Sequence, residues 1–153
     1  MDLLQNTEIR KLAVSDLCEF KMFHVKHFMN YKISDLSFFA YLTRPQYQTF
    51  GMFHVKHLIG YVIFQVSSFE ADILYIGVHP NYRRQGVATR LLNCKCFTCN
   101  IPENGLGQFK IFLEVETENF SALSFYKTQG FEIVSVRKKY LKGKDAYLMC
   151  KTI

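Results

Sequence analysis

No apolar run in this 153-residue chain approaches the length of a membrane span, which needs about twenty apolar residues in a row. The chain also begins without the charged, apolar and small-residue zones of a signal peptide. A soluble, cytoplasmic protein with no membrane partner is the expectation. The five cysteines are odd in number and irregular in spacing, which excludes the paired framework of a small secreted disulfide protein and predicts reduced thiols. Hydrophobic residues are not scarce, at 49%, of which aromatics make up 16% of the chain, so disorder is excluded. Acidic residues are the minority, 13 against 19 Lys and Arg, giving a formal charge of +6. That balance favours polyanionic partners, either nucleic acid or a phosphorylated cofactor. Much of the charge falls late, in Arg137-Lys-Lys139, Lys142, Lys144 and Lys151. A solvated basic face accounts for it equally well, so direct nucleic-acid binding is not established by charge. The length fits one domain, residues 1–153, with a substantial core.

Hydrophobic periodicity orders the elements. Thr7 to Ala13 alternates as a first strand, and Ser15 is placed to cap a helix running to about Phe28. Ser34 caps a second helix through Leu42, which Pro45 closes. Tyr47 to about Val55 and Leu58 to Val66 read as a β-hairpin turning at Lys56 and His57. Ile73 to Val78 is apolar, β-branched and aromatic, a buried strand stopped by Pro80. A polar turn follows, then a helix from Gly86 to about Cys96. The breaker-rich stretch Asn100–Gly107 is a loop. Phe109–Glu116 is a strand, Asn119 caps the helix Phe120–Gln129, and Gly130 is its natural C′ residue. Phe131–Leu141 and Asp145–Thr152 are the last strands. The order β-α-α-β-β-β-α-β-α-β-β describes an α+β domain.

The stretch from Ile73 to Leu92 organises the rest. A strand, a turn of small residues and a helix start present free N–H groups and the positive end of the helix dipole, a ready site for phosphate. Gly86 and Ala88 have almost no side chain to hold a pyrophosphate away. Arg83-Arg-Gln-Gly-Val-Ala88 resembles the R/Q-x-x-G-x-G/A signature of the GNAT acetyltransferase superfamily. A second block, from Leu113-Glu-Val-Glu116 through Asn119, Ala122 and Tyr126 to Gly130-Phe131, is similar to the family's L-E-V…N-x-x-A-x-x-x-Y…G-F pattern. Within the superfamily the chain looks most like the RimI-type ribosomal-protein-alanine acetyltransferases, whose ending is echoed by Arg137-Lys-Lys-Tyr140 and Asp145-Ala-Tyr-Leu-Met149.

This resemblance implies a GNAT fold: a mixed, mostly antiparallel sheet, helices on both faces and splayed central strands. It implies acetyl-CoA as co-substrate and no metal. The backbone of Ile76, Gly77 and Val78 would bond the pantetheine, while Arg84, Gln85, Gly86, Val87, Ala88 and Thr89 would wrap the pyrophosphate. Asn119 would contact the same molecule. Glu114 falls at the position of the general base and Tyr126 at that of the general acid. The acceptor would be a protein N-terminus, a ribosomal protein among them. A lysine or small-amine acetyltransferase of the same fold is an alternative, as is a binding module without turnover. The chain departs from the subgroup where Lys32-Ile-Ser34 replaces a Pro-Trp-Ser entry, where Leu141 replaces a second tyrosine, and in a longer stretch from Cys94 to Phe109.

Met22-Phe-His-Val-Lys-His27 recurs unchanged as Met52-Phe-His-Val-Lys-His57. Each copy holds a His-x-x-His pair, and Cys94-x-Cys96-x-x-Cys99 adds thiols of the kind zinc prefers. Neither spacing completes a four-ligand motif, so no metal is expected. One coding of the hexapeptide, ATG TTT CAC GTG AAA CAT, is its own reverse complement. Another frame of the same element yields Cys96-Phe-Thr-Cys-Asn100 after one codon change. A palindromic insertion in the gene, tolerated by the protein, is the expectation.

Overall fold

The structure, a computed structural model, describes residues 5–94 and 108–153. In chain order these form β1 (Thr7–Lys11), a 3-10 turn (Val14–Asp16), α1 (Leu17–His27), α2 (Asp35–Thr43), β2 (Tyr47–His54), β3 (His57–Val66) and β4 (Glu70–Val78). A second 3-10 turn (Pro80–Tyr82) leads into α3 (Val87–Leu92), followed by β5 (Lys110–Glu116), α4 (Phe120–Thr128), β6 (Glu132–Leu141) and β7 (Lys144–Thr152). The strands are ordered β1-β2-β3-β4-β5-β7-β6. The sheet is mixed: β4 and β5 are parallel, whereas β1–β2, β2–β3, β5–β7 and β6–β7 are antiparallel. The β4–β5 ladder runs from Glu70–Lys110 to Ile73–Leu113. The end of α3 towards Cys96 and the loop Asn100–Gly107 lie outside the described residues.

Of the described residues, those within Met1–Val66 and Leu74–Cys99 make one compact unit, and those within Ser67–Ile73 and Asn100–Ile153 make another. In the first, α1 buries Phe20, Phe23 and His24, a stripe at helical spacing. Phe20 meets Phe38 of α2 and Tyr61 of β3 edge-on, at 5.1 and 5.0 Å between ring centroids, a favoured aromatic geometry. Gly60 lets α3 approach β3: a Cβ there would lie 2.9 Å from Val87 Cγ1 and 3.0 Å from the Gly77 carbonyl. A bulge displaces the β2–β3 register, with Met52 opposite Gly60 and Phe53 opposite Leu58. The backbone groups freed there are satisfied from outside the hairpin. Leu58 N–H donates to Glu19 Oε1 of α1 at 2.8 Å, and His79 N–H donates to the Ile59 carbonyl at 2.9 Å. The second bond anchors the end of β4.

In the second unit, β5 buries Ile111, Leu113 and Val115 and turns Phe112, Glu114 and Glu116 to its other face. The α4 helix buries Leu123 and Tyr126, and Gly130 follows it at φ +87°.

Two local expectations are corrected. Ser15 does not cap α1. Asp16 Oδ2 instead accepts from Ala13 N–H at 2.8 Å, and both Asp16 oxygens take a guanidinium N–H of Arg10 at 2.7 and 2.8 Å. The charged bidentate pair satisfies the entry to the helix better than a hydroxyl can. The hairpin turns one residue earlier than its composition suggests. His54 pairs with His57, leaving Val55 and Lys56 as the turn at φ +47° and +69°. Both are left-handed because a two-residue hairpin must follow the right-handed twist of its strands.

Candidate active site

The pieces singled out by the sequence fall into two groups, one in each unit. In the first unit, β4 delivers Ile76, Gly77 and Val78. Gly77 serves the core directly, since a Cβ there would come within 2.7 Å of the Phe28 ring and 2.9 Å of the Tyr61 ring. The Val78 carbonyl is engaged by Arg83 Nε–H at 3.2 Å. The turn after β4 is braced from within: Asn81 N–H donates to His79 Nδ1 at 3.2 Å, and Gln85 Nε2 donates to the Asn81 carbonyl at 2.8 Å. The other amide atom of that side chain, Gln85 Oε1, is buried without a hydrogen-bond partner among the described residues.

Arg84 stands at φ +61° and Gly86 at φ +84°, so the loop makes two left-handed steps before α3 begins. A Cβ at Gly86 would meet nothing within 4 Å. Its glycine is therefore required by conformation and not by protein crowding. Val87 is 1% exposed and pins the helix start to the core over Gly60. The first bond within the helix is from Arg90 N–H to the Gly86 carbonyl at 2.9 Å, so the amides of Val87, Ala88 and Thr89 precede it. Such first-turn amides are donors suited to an anion.

In the second unit, Glu114 lies opposite Leu148 on β7, with its side chain 25% exposed. Its Oε1 is 2.5 Å from Arg137 Nη1. Glu116 is held at 3.1 Å by Lys144. The alternating carboxylates of this strand therefore have different partners. Asn119 caps α4, its side-chain oxygen accepting from Ala122 N–H at 3.2 Å. Tyr126 is 8% exposed and its ring lies 5.3 Å from Phe125 and 5.8 Å from Phe131, centroid to centroid. Sequence reasoning left Arg137 among the late basic residues. Only the register of β6 on β7 brings it back to β5.

The two His-x-x-His pairs are put to separate uses. His24 is 2% exposed; its Nε2 donates to the Tyr31 carbonyl and its Nδ1 is hydrogen-bonded with the Tyr61 hydroxyl at 2.6 Å. Burial pushes the Tyr61 hydroxyl far above the ordinary phenol range. His27 faces His79, ring centroids 4.5 Å apart; burial first, then His79, Lys26 and Arg83, lower its pKa. In the second copy, His54 Nδ1 bonds the Tyr82 hydroxyl at 3.0 Å, while His57 is exposed. Among the described residues no group of three or more His, Cys, Asp or Glu could hold a metal ion. Cys96 and Cys99 lie outside them. Nor do the described residues include a helix long and apolar enough to cross a membrane.

The family model "Acetyltransferase (GNAT) family" matches residues 12–131, a range that takes in both units. The N-alpha-acetyltransferase RimI of Mycobacterium tuberculosis is 36% identical over 83 residues, 53% of this chain and 48% of that protein. The chain thus spans about half the length of this and other N-alpha-acetyltransferase relatives, and about a fifth of a longer uncharacterized protein of Mycobacterium leprae. Among solved structures, the ribosomal-protein-S18-alanine N-acetyltransferase of Escherichia coli superposes with a TM-score of 0.80 at 25% identity, over 96% of this chain and 94% of that one. Arabidopsis thaliana NAA60, solved in complex with acetyl-CoA, gives 0.82 at 20% identity, over 96% and 98%, a likeness of fold. The loop that opens α3, the capped helix after β5 and the family match across them identify the chain as a member of the GNAT acetyltransferase family.

Proposed function

We propose that this chain, as one domain of residues 1–153, is a cytoplasmic N-acetyltransferase. It moves the acetyl group of acetyl-CoA to an amine, with the N-terminal α-amino group of a protein as the preferred acceptor and a ribosomal protein as one candidate. The observation that carries the reading is the left-handed Arg84–Gly86 turn leading into the first-turn amides of Val87, Ala88 and Thr89, set within the family match. A pyrophosphate needs N–H donors free of other partners, and amides that precede the first bond of the helix support that reading. Arg84 and Gln85 flank it. The β4 backbone at Ile76, Gly77 and Val78 would hold the pantetheine as an added strand does, and the Asn119 amide would meet the same molecule.

Chemically, the acceptor must lose a proton before it can attack a thioester. Glu114 takes that proton from the ammonium, directly or through a water, leaving a neutral amine. The amine nitrogen then forms a bond to the acetyl carbonyl carbon and the carbon–sulfur bond breaks. Tyr126 gives its hydroxyl proton to the departing thiolate, and the second proton of the nitrogen, lost as the amide forms, returns through solvent to the tyrosinate. An α-amino group, with a pKa of roughly 7.7–8.0 against about 10.4 for lysine, asks less of Glu114.

The test is turnover of acetyl-CoA with three acceptor sets: peptides with free N-termini, lysine peptides with blocked N-termini, and polyamines. Acetylation of the first set alone is the expected result. Turnover confined to the other two would move the activity to lysine or small amines. Acetyl-CoA binding with no turnover on any of them would make the chain a binding module.

A further inference from the structure

We infer that Arg137 is a positioning residue for Glu114, fixing which oxygen of the proposed base faces the amine. The inference rests on the reading of Glu114 as that base. Arg137 lies on β6 opposite Ala146 of β7, and Ala146 is also the partner of Glu116 on β5. Glu114 is two pairs further along, past Val115–Tyr147, opposite Leu148. To reach Glu114 the Arg137 side chain must therefore cross β7 diagonally. The diagonal runs from the level of Ala146, which is fully buried, to that of Leu148 on the same face of β7.

Two contacts fix the guanidinium at its far end. Nη1 is 2.5 Å from Glu114 Oε1, and the guanidinium carbon lies 4.8 Å above the centroid of the Tyr140 ring. Stacking on the ring restrains the plane of the fork, as arginine and not lysine allows. An ion pair this exposed, 41% and 25% for the two side chains, adds little to stability. Its consequence is geometric. The terminal torsion of a glutamate is broad and two-fold, so an unpartnered carboxylate samples many orientations. With Oε1 committed to Arg137, Oε2 is the atom left to accept a proton. A base has to stand within hydrogen-bond reach of the proton it removes, and small misplacements are costly. Glu116 offers a contrast on the same strand: it is matched with Lys144, a single ammonium on a flexible stem, without the planar fork of arginine.

The experiment compares full-length wild type with Arg137→Gln, Arg137→Lys, Glu114→Gln and the double variant Arg137→Gln/Glu114→Gln. Arg137→Gln should lower kcat roughly ten- to a hundredfold and leave KM for acetyl-CoA unchanged. Arg137→Lys should recover part of the loss, since it restores the charge without the planar fork. The double variant should be no slower than Glu114→Gln alone, because Arg137 acts through Glu114. Wild-type kcat in Arg137→Gln, or losses that multiply in the double variant, would overturn the inference while leaving the base assignment intact. Wild-type turnover in Glu114→Gln would instead remove the base, and the inference with it. A crystal structure of Arg137→Gln gives a reading independent of turnover. The Glu114 carboxylate should lose its single orientation, and an unchanged, ordered carboxylate there counts against the proposal.

Discussion

At the scale of single residues, charge and backbone conformation settle more than side-chain type. Asp16 binds Arg10 through both oxygens and also caps the Ala13 N–H. The Arg10 guanidinium, helped by that backbone bond and opposed by partial burial, holds the Asp16 carboxyl below its usual pKa. A lowered folded-state pKa means that the unfolded chain takes up the proton first. The stability it contributes is therefore present above the unfolded carboxylate value, about 3.9, and is lost as pH falls through the lowered folded value. Asp16→Asn should cost about 1–2 kcal/mol at neutral pH. The gap between variant and wild type should close on acidification, as followed by urea midpoints between pH 7 and pH 3. A gap that stayed constant over that range would detach the effect from the carboxylate's charge. Gly86 makes the complementary case. With φ at +84° and nothing among the described residues within 4 Å of its missing Cβ, Gly86→Val meets no crowding at Cβ, yet places a β-branched residue in the left-handed region at roughly 1–2 kcal/mol. The turn should relax away from that conformation and acetyl-CoA affinity should fall. Calorimetry on the folded variant checks this, and an unchanged Kd would remove the loop from the pyrophosphate site.

At the scale of elements, the repeated hexapeptide shows why local sequence does not fix structure. Met22–His27 lies within α1, whereas Met52–His57 ends β2, turns at Val55–Lys56 and begins β3. Six identical residues adopt two conformations because their neighbours bury different faces. In α1, Phe23 and His24 pack on Tyr61; in β2, Met52 and Phe53 point to opposite faces of a strand that is buried on both, within the unbroken buried run Thr49–Phe53. Tertiary context overrides propensity in both. The price is visible in the turn, where Val55, a β-branched residue, sits at φ +47° in a position that favours Asn or Gly. Val55→Asn with Lys56→Gly should therefore stabilise the protein by about 1 kcal/mol. A rise in the urea midpoint with an unchanged m-value would report it. A lower midpoint would mean that the hexapeptide turn is already the better one. The one-residue error in placing this turn has the same origin, since His57 resembles a turn residue until its pairing with His54 is seen.

At the scale of the whole molecule, the element order and both long signatures were legible in the sequence, because strand and helix periodicities alternate and the breakers fall between them. Asn119 was legible as a helix cap, and Gly86 as a turn glycine, for equally local reasons. The Glu114–Arg137 pair was not. It depends on the β6–β7 register, which shifts between Ile133 and Ser135 and again between Arg137 and Leu141, and bulges of this kind have no composition signal strong enough to count residues by. The division of labour proposed for Glu114 and Tyr126 gives the last prediction. Glu114→Gln keeps size and hydrogen bonding but cannot accept a proton at neutral pH; Tyr126→Phe keeps the packing against Phe125 and Phe131 and loses the proton for sulfur. Neither change touches the Arg84–Thr89 loop, so both variants should bind acetyl-CoA. Each should lose roughly two or more orders of magnitude in kcat, the range of general acid–base catalysis. Rising pH should then separate them. An α-amino acceptor loses its own proton near pH 8, so Glu114→Gln should regain part of its rate between pH 7 and pH 9. Tyr126→Phe should not, because the proton it lacks belongs to the leaving group. Parallel pH profiles in the two variants would show that Glu114 and Tyr126 do not divide the proton transfers between them.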